Sequence, residues 1–209
     1  MAGARRRAAA KGVEGAGAPA LEVRDLTPEL WPALEQLFGK NGACGGCWCQ
    51  AWHIASRADR QRLQGEPSRQ LLRQQVLAQE THGVLAFDRA TGTPVGWCAY
   101  DRRTDFARLA NARSLACDDP ERVWSLTCFY VARGWRGKGV AGALLRGALA
   151  ALAARGAEIA EGYPVKPAAS GEPLPAAFAW TGTRSLFAAA GFKVVGNPDG
   201  GRQRVRKRL

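Results

Sequence analysis

Residues 123–141, VWSLTCFYVARGWRGKGVA, decide the fold. The first ten residues carry no charge and are rich in β-branched and aromatic side chains, which is the composition of a strand buried on both faces. Gly134, Gly137 and Gly139 follow in a loop. A helix is then expected over residues 140–155, with Val140, Leu144, Leu145, Ala148, Leu149 and Leu152 on its buried side. A strand that runs through a glycine loop into a helix N-terminus is a geometry that binds anions. The glycines admit close backbone approach, the first-turn N–H groups have no intrahelical partner, and the helix dipole adds about half a positive charge there. A diphosphate would fit. The loop has neither the GxxxxGK[ST] of a P-loop nor the GxGxxG of a dinucleotide fold. On these residues alone, an ordinary tight turn in which glycine only relieves sterics stays open.

Outward from this stretch, period 2 alternates with period 3.6, the rhythm of a mixed α/β domain. Residues 21–26 read as a short strand, and Thr27, Pro28 and Glu29 open a helix whose Leu30, Leu34, Leu37 and Phe38 share a face. A second helix is expected over residues 68–80, with Leu72, Val76 and Leu77 inward. Residues 83–88 and 94–100 form a hairpin, and residues 157–165 another strand. After a Pro-rich loop come a helix over residues 180–190 with Gly191 as its C-cap, and strands at 192–195 and 203–209. There is no internal repeat.

The chain has 209 residues, 46% of them apolar and 23% charged, the composition of one soluble domain. Collagen-like and wholly disordered readings are excluded, and no apolar run approaches the roughly 20 residues that span a bilayer. Of the net charge of +12, residues 1–20 hold +3 and residues 201–209 hold +5, which leaves +4 for the body. Such a body suits an anionic ligand as well as nucleic acid. Residues 1–20, made of Ala, Gly and Arg, are expected to be a disordered tail and residues 21–209 a single domain. The tail has a cationic start without the apolar segment of a secretory signal; an organellar transit peptide is the alternative reading. Six cysteines without an export signal are expected to be reduced thiols in a cytoplasmic setting.

The glycine loop and the order of elements around it resemble the GNAT N-acetyltransferases. Their acetyl-CoA motif, [RQ]-x-x-G-x-[GA] after a buried strand, is matched by Arg136, Gly139 and Ala141, and Gly191 and Phe192 stand where the family has a Gly-Phe pair. The segments GGCWC, AFAW and WTG liken it further to a narrower, actinobacterial-looking bacterial group. The resemblance spans residues 21–209. It implies an α/β fold with a mixed, mostly antiparallel sheet of about six to seven strands flanked by about four helices. It also implies acetyl-CoA as co-substrate, with the backbone of Phe129 and Val131 against its pantetheine arm. The N–H groups of Arg136, Gly137, Lys138, Gly139, Val140 and Ala141 would hold its pyrophosphate, and the Arg136 and Lys138 side chains would add charge.

Direct transfer of acetyl to an amine needs positioning, a base for the ammonium and an acid for the leaving thiolate. The family's usual Tyr is replaced by Phe187, which can pack on the cofactor but cannot donate a proton, and its Asn by Trp180. Glu161 and Tyr163, two apart on a strand, share a face and are the expected base and acid. The competing readings are a salt-bridged carboxylate, a core tyrosine, and Cys128 as the acid. Cys44, Cys47, Cys49 and His53 lie within ten residues, too local for the paired ligand spacing of structural zinc. No metal is therefore expected, and reactive thiols or a packed loop anchored by Trp48 and Trp52 stay open. The resemblance places Trp48, Cys49, Trp52 and His53 at the acceptor pocket. The expected partner is a small-molecule or peptide amine; no membrane is involved, nucleic acid is disfavoured, and a homodimer is open. The reading from another class is a nucleic-acid-binding or regulatory module that uses the basic tails beside a vestigial CoA site. No recognition helix or aromatic RNA-binding sheet supports it, and the alternating C-terminal arginines read as a solvated edge strand.

Overall fold

The computed structural model describes residues 19–166, 179–196 and 201–209. Nearly all of the basic tail expected at residues 1–20, and most of the loop at residues 165–179, lie outside these described residues. Seven strands form one sheet: β1 (Leu21–Asp25), β2 (His82–Asp88), β3 (Pro94–Arg102), β4 (Val123–Val131), β5 (Ile159–Gly162), β6 (Lys193–Val195) and β7 (Arg204–Arg208). Their order is β1-β2-β3-β4-β5-β7-β6, and every neighbouring pair is antiparallel except β4 and β5. The described residues hold six helices: α1 (Trp31–Phe38), α2 (Arg57–Arg62), α3 (Glu66–Leu77), α4 (Ala107–Ala110), α5 (Val140–Ala154) and α6 (Arg184–Ala189). The expected mixed, mostly antiparallel sheet is present, with two short helices beyond the four anticipated. No described helix is long and apolar enough to cross a membrane.

The apolar stripes lie where the periodicity puts them, except that Leu77, expected inward, is the last residue of α3 and is 48% exposed. On one face of the sheet, Val140, Leu144, Leu145, Ala148 and Leu152 of α5 are buried with Val84, Val95 and Leu126. On the other, Trp31, Leu34 and Phe38 of α1 and Leu72 and Val76 of α3 are buried with Leu85, Phe87 and Trp97. Each such side chain contributes roughly 1.5–3 kcal/mol through the water it sheds. The unanticipated α2, RADRQR, has no apolar period; it starts because Ser56 accepts the Asp59 N–H at 3.3 Å. α6 begins at Arg184 rather than residue 180, because Thr183 caps it through the Leu186 N–H at 3.2 Å.

Two departures from regularity position the site. Ala99 pairs with Cys128 but Tyr100 pairs with Leu126, so Thr127 is an extra residue, a β-bulge in β4. The bulge resets the alternation. Trp124, Leu126 and Phe129 join the α5 face, while Cys128 and Tyr130 turn to the α1 and α3 face. β5 is also short. It pairs with Val123, Trp124, Ser125 and Leu126 of β4 and ends at Gly162, so the rest of β4 has no strand partner on that side. The sheet opens there into a cleft.

One expectation is corrected here. The C-terminal strand is not a solvated edge: β7 lies between β5 and β6, and its Arg204 and Arg206 turn inward onto Glu161.

Candidate functional site

The cleft beside β4 continues into a groove of about 750 Å³ whose walls include Phe129, Val131, Gly139, Ala141, Trp180 and Thr183. The backbone edge of β4 facing it is partly engaged. The Phe129 N–H donates to the Trp180 carbonyl at 2.6 Å, and Arg136 Nε donates to the Val131 carbonyl at 3.2 Å. At the bulge, Trp52 Nε1 donates to the Thr127 carbonyl at 3.1 Å. Gly139 is the N-cap of α5 with φ +80°, a left-handed conformation that a side chain would strain. No side chain caps this helix, and a Cβ built at Gly137 or Gly139 would meet nothing within 4 Å. The first-turn N–H groups of a 15-residue helix therefore face open space.

Phe129, Val131, Arg136, Gly137, Gly139, Val140 and Ala141, all expected at the cofactor, line this one groove. Lys138 is not part of its lining; its Nζ lies over the Trp135 ring at 5.3 Å. Phe187 is fully buried, with ring centroids 5.9 Å from Phe129 and 5.0 Å from Phe192. Its expected cofactor contact is corrected to a core position behind the wall, where it supports Phe129.

The expected acid–base pair is corrected on stronger grounds. Glu161 is fully buried and accepts from Arg103 Nη1 at 2.8 Å, Arg204 Nη2 at 2.9 Å and Arg206 Nε at 2.5 Å. Three guanidiniums surround the carboxylate and none of it is exposed, so it is a buried ion-pair partner with no access for water or an ammonium. Tyr163 is equally buried; its hydroxyl lies 2.6 Å from Arg103 Nη1, which donates to it, and 2.6 Å from Ser125 Oγ. Burial first, and the Glu161 charge second, hold its phenol well above the usual tyrosine range. The two residues do share a face of the chain, but that face meets a buried ion cluster.

A second cavity, of about 220 Å³, adjoins the groove and shares Ala43, Cys44, Phe129, Tyr130 and Trp180 with it. Cys47, Cys49, Cys128 and Trp52 complete most of its wall. Cys49 and Trp52 are thus brought to the site, and Trp48 and His53 are not. Trp48 is buried against Trp31 and Phe38, and Gly42 must lack a side chain because a Cβ there would stand 2.3 Å from the Trp48 indole. His53 packs on Phe106 with Nδ1 3.2 Å from the Asp105 carbonyl, and burial holds its imidazole below the usual histidine range.

Two of the thiols at this cavity, Cys47 and Cys128, are not poised for reaction. Burial, then the Cys49 sulfur, pushes Cys47 up to about 11, and the bond that the Cys128 thiol donates to Cys49, together with burial, raises Cys128 well above the thiol range. Cys49 Sγ itself accepts from Trp97 Nε1 at 3.1 Å. A Cys128 thiol held so high is a poor donor to a thiolate of ordinary acidity. Among the described residues no group of three His, Cys, Asp or Glu is arranged to hold a metal ion. Tyr130 is the residue that sequence reasoning missed. Of the three tyrosines in the chain it alone lines both groove and cavity; Tyr100 is spent on Asp25 at 2.5 Å and Tyr163 on the ion cluster. The period-2 pattern of residues 128–132 carried the signal, because Cys128 and Tyr130 share a face.

A family model described as the acetyltransferase (GNAT) family matches residues 48–164, more than half of the chain. Compared with curated proteins, the chain has no match. Among solved structures it is similar to the PaiA N-acetyltransferase from Thermoplasma acidophilum in complex with coenzyme A, at 17% identity and TM-score 0.52, covering 91% of this chain and 99% of that one. It is similar also to the ribosomal-protein-S5-alanine acetyltransferase from Vibrio fischeri, at 12% identity and TM-score 0.54, with 90% and 92% covered. A phosphinothricin acetyltransferase from Sinorhizobium meliloti in complex with AcCoA gives 14% identity and TM-score 0.52, with 90% and 88% covered. At these identities the structures speak for the fold alone, and the family model speaks for descent. The chain, with its split sheet and its glycine loop opening α5, belongs to the acetyltransferase (GNAT) family.

Proposed function

We propose that this protein is an acetyl-CoA-dependent N-acetyltransferase that moves an acetyl group directly to a primary amine. The observation that carries the reading is the groove itself. An uncapped helix N-terminus, two open glycines and the stretch of β4 beyond its pairing with β5 line one continuous space of about 750 Å³. The residues fit the co-substrate: the first turn of α5 meets a diphosphate, and Phe129 and Val131 offer apolar wall and backbone to the arm. When bound, acetyl-CoA supplies the activated thioester. Tyr130, at the junction of groove and cavity, is the group we assign to protonate the sulfur as the C–S bond breaks, and the proton that the amine nitrogen loses as the C–N bond forms restores the phenol. The cavity that Cys49, Cys128 and Trp52 line receives the amine and keeps water away from it. The basic-tail alternative loses its C-terminal half, since Arg204 and Arg206 are engaged by Glu161 and Asp119.

The test is a calorimetric titration of acetyl-CoA into the wild type and into Ala141→Glu. An acid in the first turn of α5 favours the helix, so the variant folds, yet it sets a negative charge where the diphosphate must sit. Like charges about 4 Å apart at an effective dielectric near 20 repel by about 4 kcal/mol, so affinity falls at least tenfold. Saturable binding that the variant loses supports the reading. A wild type that takes up no acetyl-CoA at high micromolar concentration overturns it.

A further inference from the structure

Beyond the thiol-lined cavity, and sharing Cys47 and Ala51 with it, lies a third cavity of about 450 Å³. Arg57, Arg60 and Arg108 line it together with Gln50, Gln61 and Gln64, and among the described residues no carboxylate does. Among the described residues these three arginines form no ion pair. Arg60 Nη1 donates to the Ile54 and Ala55 carbonyls at 2.7 and 2.6 Å, and Arg108 Nη1 to the Ala51 carbonyl at 3.3 Å, so the partners are neutral. The nearby acid of α2, Asp59, is spent on Arg62 at 3.1 Å. Burial, and then the charge of Arg60, pull the Arg108 guanidinium below its usual range, the mark of cations gathered without a counter-ion. The contrast with the Glu161 cluster is direct. There the fold provides a carboxylate for its arginines, and here the described residues provide none.

Gln50 adds a second unmet need at the same place. It is 1% exposed, its Nε2 donates to Gln75 Oε1 at 2.7 Å, and its Oε1 has no partner. Exchanging the two atoms of the amide only moves the vacancy from oxygen to nitrogen. A buried amide atom without a partner costs about 1–3 kcal/mol unless a ligand satisfies it. The cavity is also tied to the transfer site. The Arg108 guanidinium lies over the Trp52 ring, 5.0 Å from its centre, and the Nε1–H of that indole donates to the Thr127 carbonyl at the bulge. One indole separates the cationic cavity from the opening of the sheet.

We infer that the acceptor carries an oxyanion group, a carboxylate or phosphate, which Arg60 and Arg108 hold in this third cavity while its amine reaches through the thiol-lined cavity to the groove. This deepens the reading given under Proposed function and rests on it for the amine. Planar guanidinium forks suit both oxyanions, and the polar atom of Gln50 takes a further polar group of the same molecule. Cationic polyamines are disfavoured by the same charges that attract the anion.

The test is a titration of glutarate, and separately of inorganic phosphate, into the full chain with CoA saturating, for the wild type, Arg108→Gln and Arg60→Gln. Arg73→Gln, on the far face of α3, is the control. Saturable binding that weakens about ten- to a hundredfold in the two variants and not in the control is the expected result, from the loss of one charge-assisted contact. Whichever of glutarate and phosphate binds more tightly identifies the oxyanion. Equal anion affinity in wild type and both variants, or no anion binding at all, overturns the inference. If CoA itself fails to bind, the cofactor reading falls, and the same comparison on CoA-free protein still decides the anion site.

Discussion

Replacing Glu161 by Gln separates a structural carboxylate from a catalytic one. The wild-type carboxylate meets three guanidiniums at 2.8, 2.9 and 2.5 Å and has no exposure, against side-chain exposures of 4% for Arg103, 11% for Arg204 and 21% for Arg206. These figures decide where the cost falls. Arg206 keeps Asp119 at 2.6 Å, and Arg204 is near enough to solvent to rehydrate in part. Arg103 keeps only the Tyr163 hydroxyl at 2.6 Å and the Leu115 carbonyl at 2.5 Å, both neutral. The variant strands one buried cation, a situation that costs about 3–5 kcal/mol. The amide oxygen still accepts one bond, so the lower end, about 3 kcal/mol, is expected. For a chain of this size that is a fall of roughly 6–12 °C in Tm. Urea unfolding of wild type and variant reads it, with acetyl-CoA affinity measured on each folded protein. A stability change below about 0.5 kcal/mol together with a large loss of turnover at unchanged acetyl-CoA affinity refutes the reasoning and restores Glu161 as the base.

Gly162→Ala sets a Cβ 2.3 Å from the Phe187 ring, and overpacking of this kind costs about 1–3 kcal/mol; Phe187→Leu in the same chain recovers part of it, as thermal unfolding will show unless the ring simply turns aside. Asp119 is held at about 2, from an ordinary 3.8, chiefly by its hydrogen bonds from Arg206. Because the folded value is the lower one, this contribution is complete above pH 4 and is lost as the pH falls toward 2. Urea unfolding across that window will show a shallower acid loss for Asp119→Asn than for the wild type, and identical slopes would count against the pairing.

The β4, glycine loop and α5 stretch was legible because local composition and period dictate it; the strand, the helix face and one wall of the groove follow from residues 123–152, while the opposite wall comes from residues 43–44 and 179–186. The arrangement around Glu161 was not. Its partners come from residues 103, 204 and 206, and an arginine at every second position reads the same for an edge strand as for a strand whose polar side meets a buried carboxylate. The pairing order β5-β7-β6 distinguishes the two, and it is a long-range fact. α2 escaped notice because a single serine cap starts it and no apolar stripe marks it. Phe187 was placed on the cofactor by correspondence with a family tyrosine, yet an apolar ring gains more from the core between Phe129 and Phe192 than a phenol would.

The ion cluster is buried away from the groove but stands at the point where the sheet opens. The cleft exists because β5 leaves β4 after the Leu126 and Gly162 pair, and the residue after that pair is Tyr163. Its hydroxyl is fixed to Ser125 of β4 and to Arg103, and Arg103 is fixed to Glu161. Pro164 then removes the N–H that a continuing ladder would need. Carboxylate, guanidinium and phenol together thus set the point at which the two parallel strands part. On the other side the Thr127 bulge turns Cys128 and Tyr130 toward the thiol-lined cavity and leaves Phe129 and Val131 on the groove. Where the strands part fixes how far the groove reaches, and the bulge fixes which side chains meet it. The Glu161 carboxylate, expected as a base, stands in the cluster that ties β5 to β4 at the last pair before the cleft.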